Sequence, residues 1–232
     1  MRVVRLKMYQ EMARFNNPLA PRGADCYPLP PFSTVNGFIH SMCRWKRYHK
    51  LDYFVTGKGV YNTRTQKEWY GGKRFNKVSD EILKRWDIIT DYADGSHAGW
   101  VSTVKYHLML VDLYTTIYIK ADDSDIDDIY HALLNPPVYP SLGEYGDLCK
   151  IEAVDIVELK ELDKPISAPL DTQSYIPVNK GNFAGTIYRI NNKYEIVKGL
   201  RRFQKVPCYL VDKEQEVMSN LFDDDKPIIF ID

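Results

Sequence analysis

The sequence predicts an α+β fold. A ferredoxin-like (RRM-like) β-α-β-β-α-β domain is expected over residues 1–160, interrupted by an inserted hairpin at about 57–100. A β-rich C-terminal part follows over residues 161–232. Three observations predict this. Apolar, β-branched and aromatic residues cluster at strand spacing around residues 2–9, 51–56, 104–119 and 151–159. Two segments, beginning near Ser33 and Ser124, instead repeat at helical spacing. Between the second and third strand signals lies a basic, glycine-containing stretch too long for an ordinary connection. The resulting order is that of the split β-α-β unit.

The first strand alternates charge with apolar side chains through Arg2-Val3-Val4-Arg5-Leu6. Residues 13–32 form a loop. Its end, Tyr27-Pro28-Leu29-Pro30-Pro31, excludes helix because proline fixes φ and disfavours the α region before it. Ser33 is the expected N-cap of the first helix, with Val35, Phe38, Ile39, Met42 and Trp45 on its apolar face. A basic cluster, Arg44, Lys46, Arg47 and Lys50, follows. The insertion reads as irregular, with a short helix near 79–90. Its aromatic residues argue against disorder. Ser124-Asp125-Ile126-Asp127 resembles a capping box, and Pro136-Pro137 stops the second helix. Near the C-terminus, Thr186–Val197 reads as a hairpin turning at Asn191-Asn192. Phe203–Val211 is a further strand, and Pro227–Asp232 a short final one.

Composition excludes several classes. No apolar run approaches the ~18 residues of a membrane span, and the N-terminus lacks a signal peptide's apolar region, so a cytoplasmic protein is expected. Cys26, Cys43, Cys149 and Cys208 are far apart and read as free thiols. The five histidines have no metal-ligand spacing. The Asp122–Asp128 run lacks the glycine and glutamate of a calcium loop, so it reads as an acidic helix start. No cofactor is expected. Net charge is zero, yet residues 1–86 hold 17 Lys/Arg against 6 Asp/Glu, and the remainder 14 against 25. Such asymmetry points to a polyanionic partner, unless folding interleaves the two halves.

Three segments carry candidate chemistry. The diproline stretch ends in a helix N-terminus that would bind phosphate or would simply be a capped helix. The loop Pro140–Asp147 holds Gly143, Tyr145 and Gly146, and reads as a ligand loop or a connection. The insertion interleaves cations (Arg64, Lys67, Lys73, Arg74) with aromatics (Tyr61, Trp69, Tyr70, Phe75), as single-stranded RNA binders do and as an anchored basic loop does. A second basic group is Lys198, Arg201, Arg202 and Lys205. Lys105-Tyr106-His107 supplies acid–base groups for RNA cleavage, but strand alternation reads Tyr106 as core and its neighbours as exposed.

Taken in order, these segments resemble the fifth family of CRISPR-associated proteins, within the repeat-associated (RAMP) superfamily, and most its type I-B branch. Ala13-Arg14-Phe15-Asn16-Asn17-Pro18 carries the resemblance first. Tyr27 to Gly37 resembles the family's diproline-Ser-Thr helix start, and Pro140-Ser141-Leu142-Gly143 to Leu148 its glycine-containing loop. Glu144, Tyr145 and Gly146 depart from that loop's usual charged continuation. The resemblance covers most of residues 1–160. It implies a ferredoxin-like domain with a thumb hairpin, capping the 5′ handle of the CRISPR RNA in a Cascade complex for antiviral defence. The implied partners are the CRISPR RNA, the backbone and large subunits and, indirectly, target DNA, with no membrane. A type I-C branch cuts precursor RNA with a Tyr-Lys-His set. Type I-B systems use a separate endonuclease, so this chain is expected to bind and not to cut.

From residue type and placement, Arg14, Arg44, Arg47, Lys73 and Arg74 are expected to neutralise phosphates. Phe15 and Tyr145 would stack on bases, and Gly143 would let the backbone approach the RNA. Asn16, Ser33, Thr34, Arg201 and Arg202 complete the expected RNA-binding set. Two rival expectations are a metal-independent endoribonuclease and a protein–protein adaptor.

Overall fold

The computed structural model describes residues 1–18 and 25–231, so part of the 13–32 loop and the last residue of the expected final strand lie outside the described residues. The structure is strand-rich α+β, with antiparallel pairing throughout both of its sheets. In chain order come β1 (Arg2–Ala13), α1 (Phe32–Met42), β2 (Asp52–Phe75), α2 (Asp80–Arg85), β3 (Ile88–Asp91), β4 (His97–Lys120), α3 (Asp123–Leu134) and β5 (Lys150–Glu158). There follow β6 (Lys160–Pro169), β7 (Gln173–Pro177), β8 (Ile187–Val197), β9 (Leu200–Val211), β10 (Glu216–Asp223) and β11 (Lys226–Ile228). The main sheet runs β5-β1-β4-β2-β7-β9-β8, with β3 added on β4. A second sheet runs β11-β10-β6.

The two faces of the main sheet explain the alternation in its strands. Val4, Leu6 and Met8 of β1, Tyr53 and Val55 of β2, and Ile117 and Ile119 of β4 pack with Val35, Ile39, Ile126 and Ile129 of the helices. Their neighbours Val3, Phe54 and Tyr118 point the other way, into a second cluster with Val217, Ile228 and Phe230 of the smaller sheet. Arg5 lies on that second face and is held by Asp155 and Asp223 (3.0 and 2.7 Å). No helix of the described residues is long and apolar enough to cross a membrane.

Several elements differ from the sequence reading. β1 reaches Ala13 because β4 offers a partner that far, pairing Met12 with Val111 and Ala13 with Leu110. The cap of α1 is Pro31, not Ser33. Pro31 is extended (φ −63°, ψ 147°), and its carbonyl accepts from Thr34 and Val35 N–H. α3 is capped by Asp122, with Asp123 and Asp125 in its first turn, so the Ser124 box does not form. The acidic turn still complements the helix dipole.

The largest difference is in residues 57–100. They belong to a hairpin that spans residues 52–120, with two long strands paired from Asp52–Lys120 to Phe75–His97 and α2 and β3 at the tip. At ~3.3 Å per residue this hairpin reaches roughly 75 Å. Many of its side chains are exposed on both faces, so it shows no period-two apolar signal; the backbone ladder and cross-strand pairs hold it together. The C-terminal hairpin turns at Lys198-Gly199, not Asn191-Asn192. Both turn residues have positive φ (52° and 77°), as the two-residue turn between Val197 and Leu200 requires. The two asparagines lie instead in a register shift within β8.

Candidate nucleic-acid interface

The diproline loop is fastened from the far end of the chain. Tyr175, fully buried on β7, donates its hydroxyl to Leu29 O (3.0 Å) and accepts from Leu29 N (3.2 Å). Tyr27 donates to Arg189 O (3.1 Å). These bonds set α1 beside the β8–β9 hairpin. Between them opens a cleft of about 680 Å³. Ser33, Thr34 and Gly37 of α1, Arg44 and Arg47 beyond its end, and Arg201 of β9 all line it.

Local geometry makes this cleft cationic and stiff. α1 ends in a Schellman motif: Trp45 N–H donates to His40 O (3.0 Å) and Arg44 N–H to Ser41 O (3.2 Å). Arg44 thus occupies the left-handed position (φ 53°) where glycine is the usual residue. The following loop is locked by rings. Trp45 stacks on His49 at 3.8 Å, and His49 pairs with Asp125 (2.8 Å). His40 bonds Asn36 O through Nδ1 (2.9 Å) and accepts from His49 N–H through Nε2 (3.2 Å). Burial lowers the His40 pKa, in keeping with a neutral ring whose Nε2 accepts. On the opposite wall Arg201 lies 4.8 Å over the Tyr194 ring, which packs on Phe203. Lys46, Arg47 and Arg201 have no ion-pair partner among the described residues, and no acidic side chain lines the cleft. Four cations, exposed rings and small polar side chains around one opening suit a phosphate-linked chain with unstacked bases.

The cleft thus gathers Ser33, Thr34, Arg44, Arg47 and Arg201. Other expected residues lie elsewhere. Arg202 alternates to the opposite side of β9 from Arg201 and Phe203. Lys73 and Arg74 sit near the hairpin tip, where Arg74 pairs with Asp94 (3.1 Å) and covers Tyr92 (4.1 Å). Phe15 is buried in the core at 2% exposure, so its ring offers no stacking face. Asn16 is exposed beside it, bridged to Cys26. Gly143 (φ 126°) serves the protein's own packing: an added Cβ would lie 2.5 Å from Asp147 Oδ2 and 3.1 Å from Arg14 O. That carboxylate accepts from Arg14 N–H and Glu144 N–H (2.8 and 2.7 Å), and Arg14 also pairs with Glu144 (3.0 Å). The loop so braced holds Tyr145 fully exposed at its tip.

Sequence reasoning missed Gly37, Tyr48, Tyr194 and Phe203 as cleft residues. Placing the turn at Lys198-Gly199 would have found the last two, since that register sets Tyr194 opposite Phe203.

The Lys105–His107 segment is also rearranged. Tyr106 is 67% exposed, and His107 is the buried member. Glu68 engages both Lys105 and His107, the latter at 2.9 Å, and hydrogen bonding to Lys105 lowers the Glu68 pKa. Much of the cation–aromatic alternation in the insertion is satisfied within the hairpin, as in Lys67 over Trp69 and Lys105 over Tyr70. All four cysteines are free. Among the described residues no group of three or more His, Cys, Asp or Glu is placed to hold a metal ion.

Comparison with known proteins places this fold. No protein-family model and no curated protein matches the chain. Among solved structures, a chain of a CRISPR RNA-guided surveillance complex shares the fold, with a TM-score of 0.54 at 17% identity over 93% of this chain and 91% of that one. A CRISPR protein from Archaeoglobus fulgidus aligns over 98% of both chains, with a TM-score of 0.49 and 9% identity. A further structure described as a Cas protein aligns over 99% of both, with a TM-score of 0.43 and 10% identity.

Proposed function

We propose that this chain is a non-catalytic RNA-binding subunit of a Cascade-type CRISPR RNA-guided complex, seated on the 5′ handle of the guide. What carries this reading is the cleft, where residues from opposite ends of the chain bring four cations and several rings to one opening. The shared fold with a chain of a surveillance complex supports it. In this reading residues 1–160 are a ferredoxin-like RAMP domain, supported by the strand order β5-β1-β4-β2 and by helices following β1 and β4. The protein belongs to the fifth Cas family, in a type I-B-like system, and works in the cytoplasm. Its β2–β4 hairpin is the thumb, reaching toward the backbone subunit with Lys73 at its tip. The large subunit is the other protein neighbour, and target DNA is engaged only through the assembly.

The handle lies along the cleft. Arg44, Lys46, Arg47 and Arg201 neutralise phosphates, Ser33 and Thr34 donate hydroxyl hydrogen bonds, and bases lie against exposed rings. In this reading the chain binds and does not cut, and the contacts of Lys105 and His107 with Glu68 serve to hold the hairpin together. The test is to titrate the purified chain against handle RNA and unrelated duplex RNA, then to incubate it with repeat RNA in EDTA. Preferential handle binding with intact RNA is expected. A discrete cleavage product would convert the reading to a processing endoribonuclease. No RNA binding would leave a protein adaptor.

A further inference from the structure

The second sheet covers only part of the main sheet's outer face. Val3, Arg5, Tyr118 and Phe54 lie beneath it, but the next two cross-strand rows do not, apart from Thr56, which is 6% exposed and donates to Gln173 O (3.0 Å). Those rows are Lys7–Thr116–Thr56 and Tyr9–Tyr114–Lys58, running across β1, β4 and β2. Beside them is a cavity of about 250 Å³, bounded by Lys7, Lys58, Tyr114 and Thr116. Tyr114 is 55% exposed. Its ring is propped by Tyr9 at 4.9 Å, and Tyr9 is fixed by donating to Asp112 (2.8 Å).

The charges around this cavity are unevenly matched. Its acids are engaged: Asp171 by Lys226 (2.6 Å) and Glu152 by Lys150 (3.7 Å). Lys7 and Lys58 are exposed and have no ion-pair partner among the described residues. Direct cross-strand neighbours lie about 5 Å apart and diagonal ones about 7 Å. One ring and two ammonium groups therefore fall within the reach of a single nucleotide and its phosphates. An aromatic on a central strand, flanked by cations, is how an open four-stranded sheet takes a single-stranded base.

We propose that this uncovered sheet face is a second binding site, taking one nucleotide of a single-stranded RNA, with the base on Tyr114 and phosphates on Lys7 and Lys58. It lies on the face opposite α1 and uses no cleft residue. It rests on the proposed function only for the choice of RNA as the polymer.

The test is fluorescence anisotropy of the full chain with a single-stranded oligoribonucleotide of about 8 nucleotides. Tyr114→Phe should bind like the wild type, and Tyr114→Ala about 5- to 150-fold more weakly, the range for losing one stacked base. Lys7→Ala with Lys58→Ala is the second variant and should weaken binding and flatten its salt dependence. Both sets are repeated in an Arg47→Ala/Arg201→Ala background, where the remaining affinity should depend on Tyr114. Unchanged binding by Tyr114→Ala and by the lysine pair in both backgrounds would overturn this site and leave the cleft standing. Loss with Tyr114→Ala but not with the cleft variants would support this site and sink the cleft. Adenosine monophosphate distinguishes the source. The oligonucleotide should bind about tenfold tighter or more, through its additional phosphates. Equal affinity would overturn the polymer assignment.

Discussion

Replacing Arg47 and Arg201 with alanine removes half of the cationic lining of the cleft while leaving its walls intact, since both side chains are exposed and neither is an ion-pair partner. For single strands each neutralised phosphate steepens the fall of log K with log salt by about 0.7. Four cations, Arg44, Lys46, Arg47 and Arg201, therefore predict a slope of about −2.8, and the double variant about −1.4. Between 50 and 200 mM salt the wild type should lose about 50-fold in handle-RNA affinity and the variant about sevenfold. The assay is anisotropy of labelled handle RNA across a salt series, with thermal melting to show that both proteins are folded. Equal slopes for the two proteins would refute the electrostatic role of the cleft.

Three further perturbations probe how the cleft is built. Gly37 lines it from mid-helix, and an added Cβ would meet nothing within 4 Å. Gly37→Ala should therefore gain about 0.5–1 kcal/mol of stability and weaken RNA binding; a stabilised variant with unchanged affinity would show that RNA does not use that bare surface. Tyr175→Phe leaves both polar groups of Leu29 without their buried partner, and should cost about 1–3 kcal/mol in urea unfolding. A loss no larger than that of an exposed tyrosine would remove Tyr175 as the anchor of the diproline loop. Burial lowers the pKa of His40. The stability this provides is present above the unfolded value near 6.5 and is lost as pH falls through the folded one. The unfolding midpoint should fall between pH 7 and 5, and His40→Gln should flatten that fall; an unchanged profile would contradict it.

The parts of the fold that were legible in the sequence have one buried face and one period. β1, α1, α3 and β5 each declared themselves by apolar spacing, and each packs on the core at those positions. The long hairpin was legible only in outline: a hairpin was expected at about 57–100, but not that its strands run from Asp52 to Phe75 and from His97 to Lys120. Arg64, Lys67 and Lys105 interrupt any alternation there, and its order comes from pairing between strands distant in sequence. Caps were misplaced because Pro31 and Asp122 act through backbone geometry, without a side-chain bond to announce them. For the cleft, residue type pointed to Arg44, Arg47 and Arg201, but adjacency did not separate Arg201 from Arg202. That needed the strand register, which the misplaced turn obscured. Phe15 read as a stacking ring from its residue type and its place in a loop-like segment, whereas its N–H donates to Cys26 Sγ (3.2 Å) and its ring is buried in the core.

Ultraviolet crosslinking of handle RNA to the intact chain, with adducts located by mass spectrometry, tests the central claim most directly. Adducts should appear on Tyr48, Tyr194 or Phe203 around the cleft and disappear in the Arg47→Ala/Arg201→Ala variant. Crosslinks confined to the hairpin tip or the C-terminal sheet, unaffected by that variant, would place the RNA elsewhere and contradict the account.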